Sequence, residues 1–338
     1  MSLRMLVDDL RSYPGITRKR TIADVLRFFP RTTYGKVLAS WGEDAAVLEY
    51  GDSALLLAAD GIMESLMKAN PWFAGYYSIL VNINDISAMG GTPIAMVDII
   101  SVKDEKVCGQ VMRGMESAIC KFGVPVVGGH THPDCAYNAV DVAILGSAPK
   151  EAVIFSHTAQ PGDDILFVMD LDGFYPESLS FAWDTTSNKK SDTVRRQMLL
   201  MSEAGRRRLV HAGKDMSNPG SIGTLGMLLE TSGKGGRVDL DSIPRPKGVD
   251  LSQWLKSYQG CGFVLTAAPR HSRQVLDLFA EEGVEGAVVG KVDAGSRLVL
   301  SQGDEVETLF DFSRDIITGC RPELLPEGCS QPEEREGC

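Results

Sequence analysis

Two kinds of apolar spacing interleave along this chain. Short alternating or continuous apolar runs suit strands, and longer stretches with apolar positions every three to four residues suit helices. Residues 1–35 read as two short helices with Arg18, Lys19 and Arg20 between them. Residues 44–49 and 54–60 read as strands joined at Gly51, Asp52 and Ser53, a hairpin signal. From Trp72 to Met89 the spacing predicts a helix, closed by Gly90, Gly91 and Pro93. A strand at 94–101, a helix at 104–121, a strand ending in VVGGH and a strand at 138–146 follow. The turn QPGDD at 160–164 leads into the apolar run ILFVMD. Beyond it the pattern predicts helices at 192–212, from Pro219 to Thr231 and at 271–282. Strands are expected near 237–240 and in GFVLTAAP, GAVVGKV and RLVLS. Helices and strands mixed throughout give an α/β or α+β fold class.

The turn at 160–164 reads as the opening of a second domain, so we expect residues 1–155 and 156–305 to form two units. From 306 the periodicity fades. The end of the chain is rich in Pro, Glu and Gly, so 306–338 is expected to be a loosely ordered tail. The 338 residues are 43% hydrophobic and 23% charged, ordinary for a soluble globular protein with a sizeable core. A net charge of −11 argues against a nucleic-acid partner, whose footprint would be basic. It leaves phosphate ligands open, because metal ions bridge acidic groups and phosphates. No apolar run reaches the roughly 18–20 residues of a membrane span, and the N-terminus lacks an apolar signal core. The seven cysteines form no CxxC pair, so reduced thiols in a cytoplasm are the expected state.

Against this background a few charges stand out. Asp85, in NINDISAMGG (82–91), is the one charged residue between Pro71 and Asp98. A buried carboxylate is costly unless paired, hydrogen-bonded or metal-bound. Asn82 shares its helix face at i and i+3. Asp85 therefore reads either as an exposed helix-end residue or as an oxygen ligand for Mg2+. Glu43 and Asp44 precede a strand and Asp60 leaves one, places that suit solvated turns equally well. VVGGHTH (126–132) ends a strand in two glycines, where backbone amides could approach a ligand. His130 and His132 are expected to point apart, and no third ligand stands at zinc spacing. In GKDMSNPGSIGTLGMLLE (213–230), Asn218 reads as the N-cap and Pro219 as the first residue of a helix. Gly220, Gly223 and Gly226 on it suit tight packing or an anion at the helix start. Trp72, Phe73, Tyr76 and Tyr77 read as core or as the wall of a substrate pocket. P-loop, dinucleotide-binding, kinase and nucleophile-elbow signatures do not occur.

The order GEDAAV, AAD, VNINDISAMGGTP, VVGGHT, PGD and DMSNPGSIGTLGMLLETSGKGG resembles the superfamily of aminoimidazole ribonucleotide (AIR) synthase. This PurM-like superfamily includes thiamine-monophosphate kinase, selenophosphate synthetase and the hydrogenase maturation protein HypE. The resemblance runs from about residue 40 to about residue 300 and is nearest the AIR-synthase-related branch of unassigned substrate. It implies two domains, with N-terminal strands pairing across a homodimer and a C-terminal α+β domain folded against the first. It also implies ATP and several Mg2+ ions between them. Carried over by motif, Asp44, Asp60, Asp85 and Asp215 are implied metal ligands. Gly129, His130, Ser217, Asn218 and Gly220 are implied contacts of ATP.

Departures from the family patterns narrow the function. The stretch ADGIMESLMKANPWF lacks the His of the thiamine kinase, and Ser156 stands where that kinase has Arg before PGD. No Cys precedes Cys108, which excludes the selenophosphate synthetase activity. Cys338 is terminal, as a reactive Cys is in HypE, but that family's closing pattern is missing. The resemblance thus implies a cytoplasmic, ATP- and Mg2+-dependent kinase or synthetase acting on a small molecule. The alternative is an ATP-binding accessory or maturation protein that acts with a protein partner.

Overall fold

The computed structural model describes residues 1–29, 36–258, 260 and 262–321. Two sheets organise them. The first holds β1 (Val37–Ala39), β2 (Ala46–Tyr50), β3 (Ser53–Gly61), β4 (Thr92–Ser101), β5 (Val126–His132) and β6 (Ala139–Pro149), in the order β1-β2-β3-β6-β4-β5. Pairing is antiparallel except between β4 and β5. The parallel pair is joined by the helix Glu105–Phe122, the crossover that parallel strands require. Ala58, Ile144 and Met96 sit opposite one another on β3, β6 and β4 and are buried. They belong to one core with Tyr76, Ile79 and Ile83 of the helix Pro71–Ala88.

The helices Pro71–Ala88 and Glu105–Phe122 pack unusually close. A Cβ on Gly75 would lie 1.9 Å from the Val111 carbonyl oxygen, and one on Gly114 2.0 Å from that of Trp72. Reciprocal glycines let the two backbones touch. Trp72 stacks on Tyr76 at 5.3 Å, and Tyr76 and Tyr77 are fully buried. The aromatic cluster is therefore core rather than the wall of a substrate pocket.

The second sheet holds β7 (Asp164–Met169), β8 (Ala212–Asp215), β9 (Gly235–Asp239), β10 (Gly262–Ala267), β11 (Glu285–Asp293), β12 (Arg297–Gln302) and β13 (Glu305–Asp311). Its order is β13-β12-β9-β11-β7-β10-β8. Every residue of β7 is buried. Ile165 and Phe167 join the core with the wholly buried helix Gly220–Ser232. Leu166 and Val168 join the one with Pro269–Ala280 and Leu200–Arg206. A strand covered on both faces loses its alternation, which is why ILFVMD reads as a continuous apolar run.

The mixed α/β class holds, and several elements differ in detail from the sequence pattern. The helix expected over 192–212 is two helices, Ser191–Met198 and Leu200–Arg206, followed by β8. The loosely ordered tail expected from 306 is corrected for its first part. Glu305–Asp311 is a strand paired with β12, and Phe312, Ile317, Thr318 and Cys320 are buried. The buried carboxylate of Glu230 fixes this segment. It accepts the Ile317 and Thr318 backbone N–H groups at 3.0 and 2.8 Å and the Thr318 hydroxyl at 2.8 Å. Residues 322–338, with Cys329 and Cys338, and Cys261 lie outside the described residues.

Candidate active site

The helix Pro71–Ala88 lies against β3 and β6 of the first sheet and also touches β8 of the second. It therefore carries Asp85 to the seam between the sheets. Asp215 arrives there at the end of β8, and Asp44 from the turn before β2. One carboxylate oxygen from each of Asp44, Asp85 and Asp215 lies within 4.8 Å of the other two. Asp60, at the end of β3, lines the same cleft, which has a volume of about 830 Å³.

Electrostatics mark these groups as a unit. Burial pushes the Asp85 carboxyl well above the usual carboxylate range, and the negative charges of Asp60, Asp215 and Asp44 add to it. Burial, then Asp44, pushes Asp215 up to about 8, against the pull of Lys214. Asp44 is raised by burial, opposed by Lys214. Asp60 is raised by desolvation within the cleft wall, opposed by Lys19 and reinforced by Asp44. Clustered carboxylates of this kind need cations between them. A converging set of oxygen ligands from separate elements fits Mg2+, a hard ion that takes one or two carboxylates beside phosphate oxygens.

Neighbouring residues fix the turn that carries Asp44. The Glu43 carboxylate accepts the Ser156 N–H at 2.6 Å and pairs with His157 Nδ1 at 2.5 Å. That pairing raises the His157 pKa, against burial, which lowers it. One Asp44 oxygen pairs with the Lys214 ammonium, and the other accepts the Asp215 N–H at 3.3 Å. The Lys214 ammonium also donates to the Gly42 carbonyl at 3.2 Å. Burial lowers the Lys214 pKa, but Asp44, Glu43 and Asp215 outweigh it and the net direction is up. Lys214 escaped the sequence reading. A lysine beside an aspartate carries no sequence signal; the structure places both in the short strand Ala212–Asp215, all four of whose residues are buried.

The other candidates divide. Ser217 and Asn218 line the cleft, as do Arg18 and Lys19 of the N-terminal basic trio. Gly220 is buried beside them with φ +71°, and a Cβ there would meet the Leu255 carbonyl oxygen at 2.1 Å. The helix begins at Gly220, with Pro219 at its cap position and no side-chain cap. The expected N-cap role of Asn218 is thus corrected, because the turn closes instead through the Gly220 N–H to the Ser217 carbonyl at 2.8 Å. The Asn218 amide lies against the Met63 sulfur at 3.7 Å.

Gly129 and His130 are not brought to this cleft. They lie on β5, the exposed edge strand. Asp60 pairs with Val142, Val142 with Asp98 and Asp98 with Gly129, so three strand spacings, roughly 14 Å, separate Gly129 from Asp60. The expectation that His130 and His132 point apart is also corrected. Residues two apart on a strand share a face, and the two rings lie 4.5 Å apart.

Comparison with known proteins follows the same outline. The family model described as AIR synthase related protein, N-terminal domain, matches residues 42–148, and the C-terminal domain model matches residues 163–302. Protein MJ0640 of Methanocaldococcus jannaschii, described as uncharacterized, is 44% identical over 95% of this chain and its whole length. The PurL subunit of phosphoribosylformylglycinamidine synthase from Methanopyrus kandleri is 25% identical over 93% of this chain. The match spans 47% of that protein's length. Among solved structures, T. maritima PurL complexed with ADP superposes with a TM-score of 0.74 at 16% identity, over 92% of this chain and 51% of that one. AaThiL complexed with AMPPCP and TMP gives 0.59 at 16% identity, over 80% and 91%. These two likenesses are of fold. Among the described residues, no helix is long and apolar enough to cross a membrane.

Proposed function

Because the chain belongs to the AIR synthase related family, we propose that it is an ATP- and Mg2+-dependent enzyme that phosphorylates or activates a small molecule. The observation that carries this reading is the convergence of Asp44, Asp85 and Asp215, from a turn, a helix and a strand, within 4.8 Å. In it, Asp44, Asp85 and Asp215 hold Mg2+, with Asp60 at the cleft wall as a further ligand. The ions supply charge neutralisation on the transferring phosphoryl group, and the chain supplies position. Ser217 and Asn218, with the turn at Gly220, border the phosphates. Arg18 and Lys19, on the wall near Asp60, bring positive charge to the same anion. That solved relatives of the fold are complexed with ATP, ADP and AMPPCP agrees with the nucleotide.

Gly129 and His130 enter this reading as contacts presented by the second copy of a homodimer. The domain division at 155 and 156 belongs to the same proposal. So does the place of the reaction, a cytoplasm. The accessory-protein alternative leans on Cys338, which lies outside the described residues, and no feature of the cleft favours it.

The test is a thermal-shift titration with Mg·ATP, followed by a screen of metabolites for ADP release. Millimolar Mg·ATP should raise the melting temperature by several degrees, the shift expected of ligand well above its Kd. Asp85→Asn, which keeps the shape and removes a charge, should abolish most of that rise. A wild-type protein indifferent to Mg·ATP sinks the reading.

A further inference from the structure

Among the described residues lining the cleft, three carry a positive charge: Arg18, Lys19 and Lys214. Arg18 and Lys19 sit on an N-terminal turn with no buried residue. Lys214 is different. Its side chain is 7% exposed, and its partner Asp44 is 5% exposed. Its ammonium has three acceptors around it: the Asp44 carboxylate, the Gly42 carbonyl at 3.2 Å and the Ser156 hydroxyl at 3.4 Å. Those acceptors come from the turn before β2 and from the segment entering the second sheet. One ammonium thus ties the Asp44 turn to β8.

The charges facing Lys214 are Asp44, Glu43 and Asp215, with Asp85 and Asp60 beyond them. An ammonium in this place balances a carboxylate that a bound cation would otherwise have to balance. Breaking a buried pair by removing one partner is strongly destabilising, because the other charge is left uncompensated. The loss is felt in full only while nothing else neutralises the survivor.

Resting on the metal reading above, we propose that Lys214 is a built-in counter-ion of the metal site. It holds Asp44 in ligand position while the cleft is empty of metal, and by its charge it weakens the pull of the carboxylates on Mg2+. On this account Lys214 is a positioning residue. It sets how tightly and how reversibly the site loads, so that metal can arrive with the nucleotide rather than stay behind when the product leaves.

The experiment uses the full chain at pH 8, with magnesium chloride alone as the probe, in Lys214→Met and Lys214→Arg. Met keeps most of the length of the side chain and removes the charge, and Arg keeps the charge. Melting is followed in EDTA and across a Mg2+ titration, and Mg2+ affinity is taken from calorimetry. K214M should melt well below wild type in EDTA and recover most of that loss in saturating Mg2+. It should bind Mg2+ about tenfold more tightly, since a repelling charge a few ångströms away has gone. K214R should stay close to wild type in both. Four results overturn the proposal: equal losses with and without Mg2+, an unchanged or weaker affinity, a K214M chain unfolded in both conditions, or a K214R that behaves as K214M. A wild-type protein blind to both Mg2+ and Mg·ATP overturns the metal reading and this one together. A responsive wild type with an unchanged K214M response overturns this one alone.

Discussion

Asp215 shows how one side chain makes the metal-free protein sensitive to pH. Its carboxyl is pushed up to about 8 by burial and by Asp44, whereas in an unfolded chain it would titrate near 4. Asp85 shifts in the same direction. Between those limits the folded state holds more protons than the unfolded one, so stability falls as pH rises. Without metal, melting temperature should therefore drop from pH 5 to pH 8. Asp215→Asn, which cannot titrate, should show a shallower fall than wild type. Mg2+ binds the deprotonated carboxylates, so saturating Mg2+ should flatten the wild-type slope and stabilise more at pH 8 than at pH 5. Identical slopes for wild type and Asp215→Asn in EDTA would contradict the upward shift that burial and Asp44 impose on the Asp215 carboxyl. Asp85 and Asp215 could be picked out in the sequence because each is a lone acid in an otherwise apolar or glycine-marked stretch. Lys214 could not, because a lysine beside an aspartate reads as surface until both sit on a buried strand.

The helix Pro71–Ala88 is the element that spans both sheets, and its seat on Glu105–Phe122 governs where Asp85 sits. Gly114 makes that seat. Its added Cβ would fall 2.0 Å from a backbone carbonyl, which no rotamer change can relieve. Gly114→Ala should cost about 2 kcal/mol, the usual scale of overpacking, and should weaken the Mg·ATP response by tilting Asp85. Gly109→Ala on the same helix has nothing within 4 Å of the new Cβ. It should be neutral or stabilise by up to about 1 kcal/mol through helix propensity. Chemical denaturation of the pair decides, and equal effects would count against backbone contact as the cause. The long elements were legible because their period is clear: the helix expected over 72–89 is Pro71–Ala88, and the strand expected at 54–60 lies within Ser53–Gly61. Short β1 and β8 and the helix Glu64–Ala69 were not, because three to six residues carry too little periodicity to stand out. The strand Glu305–Asp311 was lost for another reason. EVETLFD begins with charges, and its burial comes from pairing with β12 and from the core around Glu230.

At the scale of the whole molecule, and among the described residues, the first sheet is covered on one face only. On the other, Leu57, Val97 and Ile99 of β3 and β4 are between 45% and 49% exposed. Soluble monomers rarely leave so continuous an apolar surface open. Leu57, Ala59 and Gly61 on that side also line the cleft, so a second copy seated there would border it. The protein should therefore elute as a dimer of 36.6 kDa chains by light scattering at micromolar concentration. Val97→Glu puts a charge in the middle of the patch and should shift it to monomer, because burying an unpaired carboxylate outweighs the apolar contact it replaces. A wild-type monomer would end the dimer reading. The same variant tests Gly129 and His130, which stand about three strand spacings from Asp60 within one chain and are proposed to meet a nucleotide from the second copy. If they do reach it, monomeric Val97→Glu should keep its response to Mg2+ alone but lose much of the added shift from ATP. A monomer with the full Mg·ATP shift would remove both residues from the nucleotide site and leave the carboxylates to hold it with Ser217 and Asn218.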